Sequence, residues 1–469
     1  MFPHRTVLFD TITPIALYSR LRSFFAGDRL LLFESGVNNL EGNFSYLFVG
    51  CEERIWHEDG RSFYQNGGRT EELGENPLTF LKKRFKKHDE RLYRDMAIRL
   101  EIGFVDGFVG YVGYDAISLF EPVLKSSIEN LIDETHTPEI DLIRPKFIFA
   151  INHKKHTLTA LCPRLEDEAL LDRAMEAIRE PFGDLPLIKA KKLGEGTLSF
   201  GKEEFMSKVL DVKKEIENGE VFQMLLSSRF IQPASIDPFS FYRILRSKNP
   251  SPYQFFLPYD RFAIVGCSPE LLVGLRNSQI LLKPIAGTRP RGGDPAHDLE
   301  MEKELLADEK ELAEHIMLID LGRNDIGRVA KAGSIITRNL LHVERFSHVM
   351  HIVSDIHGEL SDDKDMFDLF ASAFTAGTMT GAPKIRAMEL IAKFEGTKRG
   401  CYSGAIALFG FTGDMDTAIT IRSAQIEADR AIFHSGAGIV ADSKPENEYR
   451  EVQNKMAAML SSFEDLLAI

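Results

Sequence analysis

The chain interleaves short, glycine-punctuated apolar runs with amphipathic helices in no regular order, and that irregularity constrains its fold more than any other feature. LFESG, FSYLFVG, GFVGYVGYDAI and KFIFAINH read as strands in the first third. VFQMLLSSRF, YQFFLP, RFAIVG, ELLVGL, QILLKPIAG, GAIALFGF, TAITIRSAQIE and RAIFHSGAGIVA continue the pattern to the C-terminal part. Helical apolar spacing marks LTFLKKRFKKHDERLYRDM, DEALLDRAMEAIREPF (closed by Pro181), KEEFMSKVLDVKKEIENGE and DMFDLFASAF, and a last helix from about Glu446. DLEMEKELLADEKELAEHIMLIDLGRND reads as one long acidic helix. A simple run of βα units would build a parallel sheet; this order predicts a mixed α+β fold.

Periodicity lapses from Gly183 to Gly201, where Gly, Pro and Lys gather. Residues 1–185 are therefore read as an N-terminal lobe and 186–469 as a C-terminal lobe. With 57 basic and 70 acidic side chains the formal charge is −13. That balance disfavours nucleic acid or an anionic membrane as partner, since binding phosphate draws on clustered Lys and Arg. No apolar run approaches the ~18 residues of a bilayer span. MFPHRTVLFDTITP lacks the apolar core of a signal peptide, and Cys51, Cys162, Cys267 and Cys401 are scattered without a CxxC. The expectation is a cytoplasmic globular protein without a cysteine-based zinc site.

Several residues have the type and spacing of a chemical site. Glu311 and Glu314 on the acidic helix, and Glu448 and Glu451 on the last, are i,i+3 pairs that share a helix face. Two such faces across a cleft would offer hard oxygen ligands to Mg²⁺. Taken alone, either pair is also what a solvated helix carries. SGAGIVAD puts Gly436 and Gly438 at a strand end, where backbone N–H groups could receive a carboxylate or simply make a turn. Arg422 in TAITIRS either meets an anion or lies at a strand edge. His348 and His351 flank one apolar segment, a placement more typical of a structural histidine. AGTMTGAPK lacks the GxxxxGK[ST] order of a nucleotide loop. From spacing alone come a Mg²⁺ site and an anionic substrate, with no reaction named.

KPIAGTRPRG, DEKELAEHIMLIDLGRNDIGRV, AGTMTGAPKIRAMELI, RGCYSGAIALFGF, DTAITIRS and SGAGIVADS stand in the order seen in the chorismate-utilising enzymes, which this chain resembles from Leu31 to about Leu460. The resemblance implies a two-lobed fold with antiparallel or mixed sheets packed in a sandwich and flanked by helices. It implies Mg²⁺ held by Glu314 and Glu451, supported by Glu311 and Glu448. Tyr402 and Arg422 would bind the enolpyruvyl carboxylate, and the backbone of Gly436, Ala437 and Gly438 the carboxylates. Lys455, Gly287 and Thr288 would be further substrate contacts, with Thr378 in the active-site loop. Glu270, in SPE, would be the general acid for the departing C4 hydroxyl, and His351 would remove the proton during pyruvate elimination.

Two positions sort the branches of the family. Where isochorismate- and salicylate-forming members carry a water-activating lysine, this chain has Gln223, an amide unable to act as that base. Many aminodeoxychorismate-forming members have PIKGT, whose lysine attacks C2; this chain has Ala286 in PIAGT. Both favour the anthranilate-forming branch, with chorismate aminated at C2 and pyruvate lost. The aminodeoxychorismate branch is the alternative, and a non-catalytic ligand-sensing homologue a second one. LLFES and NPSPYQFF resemble the two halves of a tryptophan feedback site, implying Glu34, Ser35, Pro252 and Tyr253; Gln254 replaces the methionine usual there. No cysteine lies in a GxCxG context, so glutamine use would need a separate glutamine amidotransferase subunit.

Overall fold

The computed structural model describes residues 2–36, 43–180, 183–292, 294–345 and 349–469. Pro181 and His348, singled out above, lie outside the described residues. Among the described residues the strands form two large sheets, of thirteen and twelve strands, with antiparallel neighbours. In the larger sheet, Leu30–Glu34 pairs with Tyr253–Pro258, placing Gln254 opposite Glu34. Phe262–Ser268, Ser423–Glu427, Arg430–Ile439 and Gln223–Ser235 follow in that order. The other sheet begins with Ile285–Pro290 against Val349–Glu359 and ends at Arg69–Leu73. Both sheets take strands from both sides of residue 185.

Alternation along the strands explains the layering. Leu31, Phe48, Phe255 and Ile264 face the second sheet and share a core with Ile55, Val109, Ile143 and Val273. Their neighbours Leu30, Leu32, Leu47, Phe256 and Val265 point to the other face. There they pack with Leu17, Leu21, Phe241, Met456 and Phe463 from helices. Strands covered on both faces read as unbroken apolar runs, as LLLFE and YQFFLP do.

Three expectations are corrected. LTFLKKRFKKHDERLYRDM is two helices, Pro77–Phe85 and Glu90–Leu100, the second opened by Asp89, which accepts from Arg91 N at 3.1 Å. The long acidic helix is also two, Pro295–Ala307 and Glu309–Gly327. Asp308 caps the second, accepting from Lys310 N and Glu311 N at 3.1 and 3.2 Å. Leu305 and Leu312 join one small cluster across the break, so apolar spacing runs through it unmarked. TAITIRSAQIE is not one strand: Met415–Ile419 belongs to the second sheet and Ser423–Glu427 to the first. The chain crosses between sheets at Thr420–Arg422. It makes a second crossing between Phe262–Ser268 and Leu271–Arg276, at Pro269–Glu270. The two crossings adjoin, Ile419 N donating to Glu270 O at 3.0 Å.

Candidate active site

A strand that leaves one sheet for the other must expose its side chains at the seam, and the seam here borders a cavity of about 770 Å³. Glu270 and Arg422 reach it from the crossings. Gln223, Gly436 and Gly438 reach it from the paired strands of the first sheet, and Ala286, Gly287, Thr288 and His351 from the second. Glu311 and Glu314 come from helix Glu309–Gly327, and Glu448, Glu451 and Lys455 from helix Pro445–Ala468. Thr378 and Tyr402 come from intervening corners. Ala437 is the exception. It points away from its glycine neighbours, is fully buried in the apolar core and does not line the cavity. Arg422 has φ +51°, a left-handed conformation that costs a non-glycine residue about 1 kcal/mol or more, and the crossing imposes it. Gly438 lets the Gln223 amide approach closely, since a Cβ there would lie 2.6 Å from Nε2 and push the amide aside.

Electrostatics differentiate the groups. Glu270 is buried, and burial raises its carboxyl to about 7, opposed by the Thr378 hydroxyl, which donates to Oε1 at 2.9 Å, and by Lys455. His351 Nδ1 lies 2.8 Å from the Gly287 carbonyl. That carbonyl can only accept, so Nδ1 carries the proton and Nε2 the lone pair. Burial lowers the pKa of His351 and keeps the ring neutral. Burial also lowers that of Arg422, which stays a cation, its value held up by Tyr402 and Glu451.

The carboxylates on the two helices are not equivalent. Glu451 is paired with Lys455 at 2.6 Å, and Glu311 with Arg289 at 3.2 Å. Among the described residues Glu314 hydrogen-bonds only the Gln223 amide, Nε2 at 3.5 Å, with Lys310 and Lys455 acting on it at longer range. Burial first, then Glu311 and Glu451, raise it to about 6. Burial likewise raises Glu448. Among the described residues no three His, Cys, Asp or Glu side chains converge closely enough to enclose a metal alone. A Mg²⁺ ion usually takes one or two carboxylates and completes its shell with water and substrate oxygens. Glu314, a half-buried carboxylate raised by burial and by the neighbouring Glu311 and Glu451 and lowered only by the more weakly acting Lys310 and Lys455, fits that donor set.

Glu34, Ser35, Pro252 and Tyr253 come together in the middle of the first sheet, beside the strand that leads to Glu270, and do not line the cavity. Gly36 N donates to Ser251 O at 2.9 Å, closing the corner, and Ser35 N donates to Ser45 Oγ at 3.1 Å. Glu34 accepts from Tyr242 Oη at 2.7 Å and from both ends of the Arg246 guanidinium, Nε at 2.9 Å. Sequence reasoning missed other lining residues, among them Lys310, Asn447, Asn454 and His434. Helical spacing from Glu451 would have found Asn447 and Asn454, four before and three after it; nothing local marks His434.

The sequence profile of the chorismate binding enzymes matches residues 30–461, and the chain belongs to that family. Relatives similar to the chain over nearly their full length include component 1 chains of anthranilate synthase. The one from Aquifex aeolicus is 38% identical, over 98% of this chain and 93% of its own. That from Thermus thermophilus is 38% identical over 98% of each. Among solved structures, anthranilate synthase component I from Streptococcus pneumoniae TIGR4 superimposes with TM-score 0.78 at 34% identity, over 90% of this chain and 93% of its own. The menaquinone-specific isochorismate synthase from Escherichia coli, 17% identical with TM-score 0.71 over 99% and 95%, shares the fold.

Proposed function

We propose that this chain is an anthranilate synthase component I, converting chorismate and ammonia to anthranilate, pyruvate and water. The observation that carries the reading is the pair of neutral side chains in the cavity wall, Gln223 and Ala286. With no lysine at either position, neither residue supplies the base that would activate water or the amine that would attack C2, which favours external ammonia as nucleophile.

Arg422 and the Tyr402 hydroxyl hold the enolpyruvyl carboxylate, and the strand backbone at Gly436 and Gly438 receives a second one. Glu270 gives its proton to the C4 hydroxyl oxygen; the C4–O bond breaks and water leaves as nitrogen bonds to C2 and both ring double bonds shift, C1=C2 to C1=C6 and C5=C6 to C4=C5. The ammonium so formed loses a proton. His351 Nε2 then takes the C2 proton as the C3–O bond breaks, releasing enolpyruvate, which becomes pyruvate, and leaving an aromatic ring. Glu314 and Glu451 would hold Mg²⁺, with Glu311 and Glu448 in support. Bound there, the ion would neutralise and orient the ring carboxylate.

Glutamine would be the cellular ammonia source through a docked glutamine amidotransferase subunit, in the cytoplasm, as the first step of tryptophan synthesis. The cluster at Glu34 and Tyr253 is the candidate site for inhibition by tryptophan. The test is purified chain with chorismate, Mg²⁺ and an ammonium salt at raised pH, following anthranilate fluorescence and identifying products by mass. Anthranilate is expected from ammonium, and none from glutamine until the second subunit is added. Accumulated aminodeoxychorismate or isochorismate would overturn the reading.

A further inference from the structure

Glu270 and Thr378 form a wall with cavities on both sides. Behind it lies a second cavity of about 30 Å³, lined by Leu282, Lys283, Asp325 and Ala376 besides these two. At roughly 15 Å³ of room per water centre, it takes about two waters, and its carboxylate and hydroxyl groups supply their hydrogen bonds. Asp325, from the DLGRND segment, is buried there and paired with Lys384 Nζ at 2.6 Å. Lys384, from TGAPK, also donates to Ala373 O at 3.3 Å and keeps part of its side chain at the surface. The proposed chemistry at the front cavity uses neither residue.

We propose that this rear cavity holds a water relay through which Asp325 and Lys384 return a proton to Glu270 after each turnover, making Asp325 and Lys384 positioning and proton-supplying residues of the reaction. The proposal rests on Glu270 acting as the acid. Once its proton has gone to the C4 hydroxyl, Glu270 is a carboxylate facing bound intermediate in front and water behind. A rear water gives it a proton and takes one from Asp325. Asp325 takes one from the Lys384 ammonium, and Lys384 regains its own from solvent. Each step breaks one O–H or N–H bond and forms another, with no redox change. Burial raises the pKa of Asp325 against the pull of Lys384, which makes the brief carboxylic acid accessible. Other charges bear on the path. Lys455 acts on Glu270 and Arg328 on Asp325, while Lys283 is turned to Glu344 at 3.0 Å and Asp355 at 3.8 Å.

The test compares Asp325→Asn, which stops the relay chemically, with Ala376→Val, which fills the rear cavity and changes no charge. Chorismate consumption and products are followed with ammonium from pH 6 to 9 in H₂O and D₂O. Both variants are expected to lose about tenfold or more in kcat with chorismate KM within about twofold, most strongly at high pH where rear protons are scarce. The wild-type solvent isotope effect should show more than one proton in flight, and Ala376→Val should reduce it to one. Wild-type kcat in a folded Ala376→Val, or a tenfold loss that appears in KM, overturns the relay even if Asp325→Asn proves unstable. A wild type that consumes chorismate to another product overturns the anthranilate reading instead, and the comparison among variants still reads the relay.

Discussion

Glu34 is buried and Glu314 half-buried, and the two are treated in opposite ways. Glu34 meets a guanidinium and a phenol that use its oxygens fully. Glu314 meets one amide at 3.5 Å and two other carboxylates, with Lys310 and Lys455 opposing them more weakly. Burying a charge without a partner costs several kcal/mol, so a fold keeps such a group only where something else supplies the charge. The contrast separates a carboxylate that completes a structure from the one proposed to hold Mg²⁺. Glu270 is a third case, buried with one hydroxyl and shifted so that half of it is protonated near pH 7.

The largest break in this comparison should come at the proposed metal-binding carboxylates. Glu314→Gln or Glu451→Gln should abolish Mg²⁺-dependent turnover with the thermal transition intact, and calorimetric titration with MgCl₂ and chorismate should lose its metal dependence. Near-normal activity in both would remove them from the metal site. Next in size, Glu270→Gln should lower kcat about a hundredfold or more with little change in chorismate affinity, because proton donation acts in the transition state. In the wild type the limb of kcat that requires the acid should fall as pH rises through about 7, measured at saturating free ammonia. A kcat that is flat from pH 6 to 8 would assign proton transfer elsewhere.

Some of this was legible in the sequence because spacing along a helix survives folding. Glu311 with Glu314 and Glu448 with Glu451 do share faces, and both faces border one cavity. Strands such as FSYLFV and YQFFLP were legible because both faces are buried. What was illegible depended on where the chain changes sheet. TAITIRSAQIE keeps an apolar alternation through Arg422 although the strand ends at Ile419, because each half is buried in a different sheet. The helix break at Asp308 was hidden by continuous apolar spacing, and the edge strand RTEEL by its polarity, being largely exposed. The rear cavity behind Glu270 joins segments far apart in the chain, a relation no local pattern records.

The smallest effects sharpen the comparison most, because one substitution should act with opposite signs at two sites. Glu34→Gln leaves Arg246 without its anion and should destabilise the fold by about 2 kcal/mol near neutral pH. Glu270→Gln removes a carboxyl whose folded value, about 7, lies above its ordinary 4.5. Such a group contributes most to stability below the unfolded value, and the contribution is lost as pH rises through the folded one. At pH 8 the wild type therefore carries an unfavourable buried charge that the glutamine lacks. Glu270→Gln should be more stable there by on the order of 1–3 kcal/mol, with the difference shrinking toward zero near pH 4.5. Denaturant midpoints of both variants against wild type at pH 4.5, 6 and 8 make the measurement. A Glu270→Gln chain less stable than wild type at pH 8 would mean that its carboxylate has a compensating partner, as Glu34 has, and is not held in reserve as an acid.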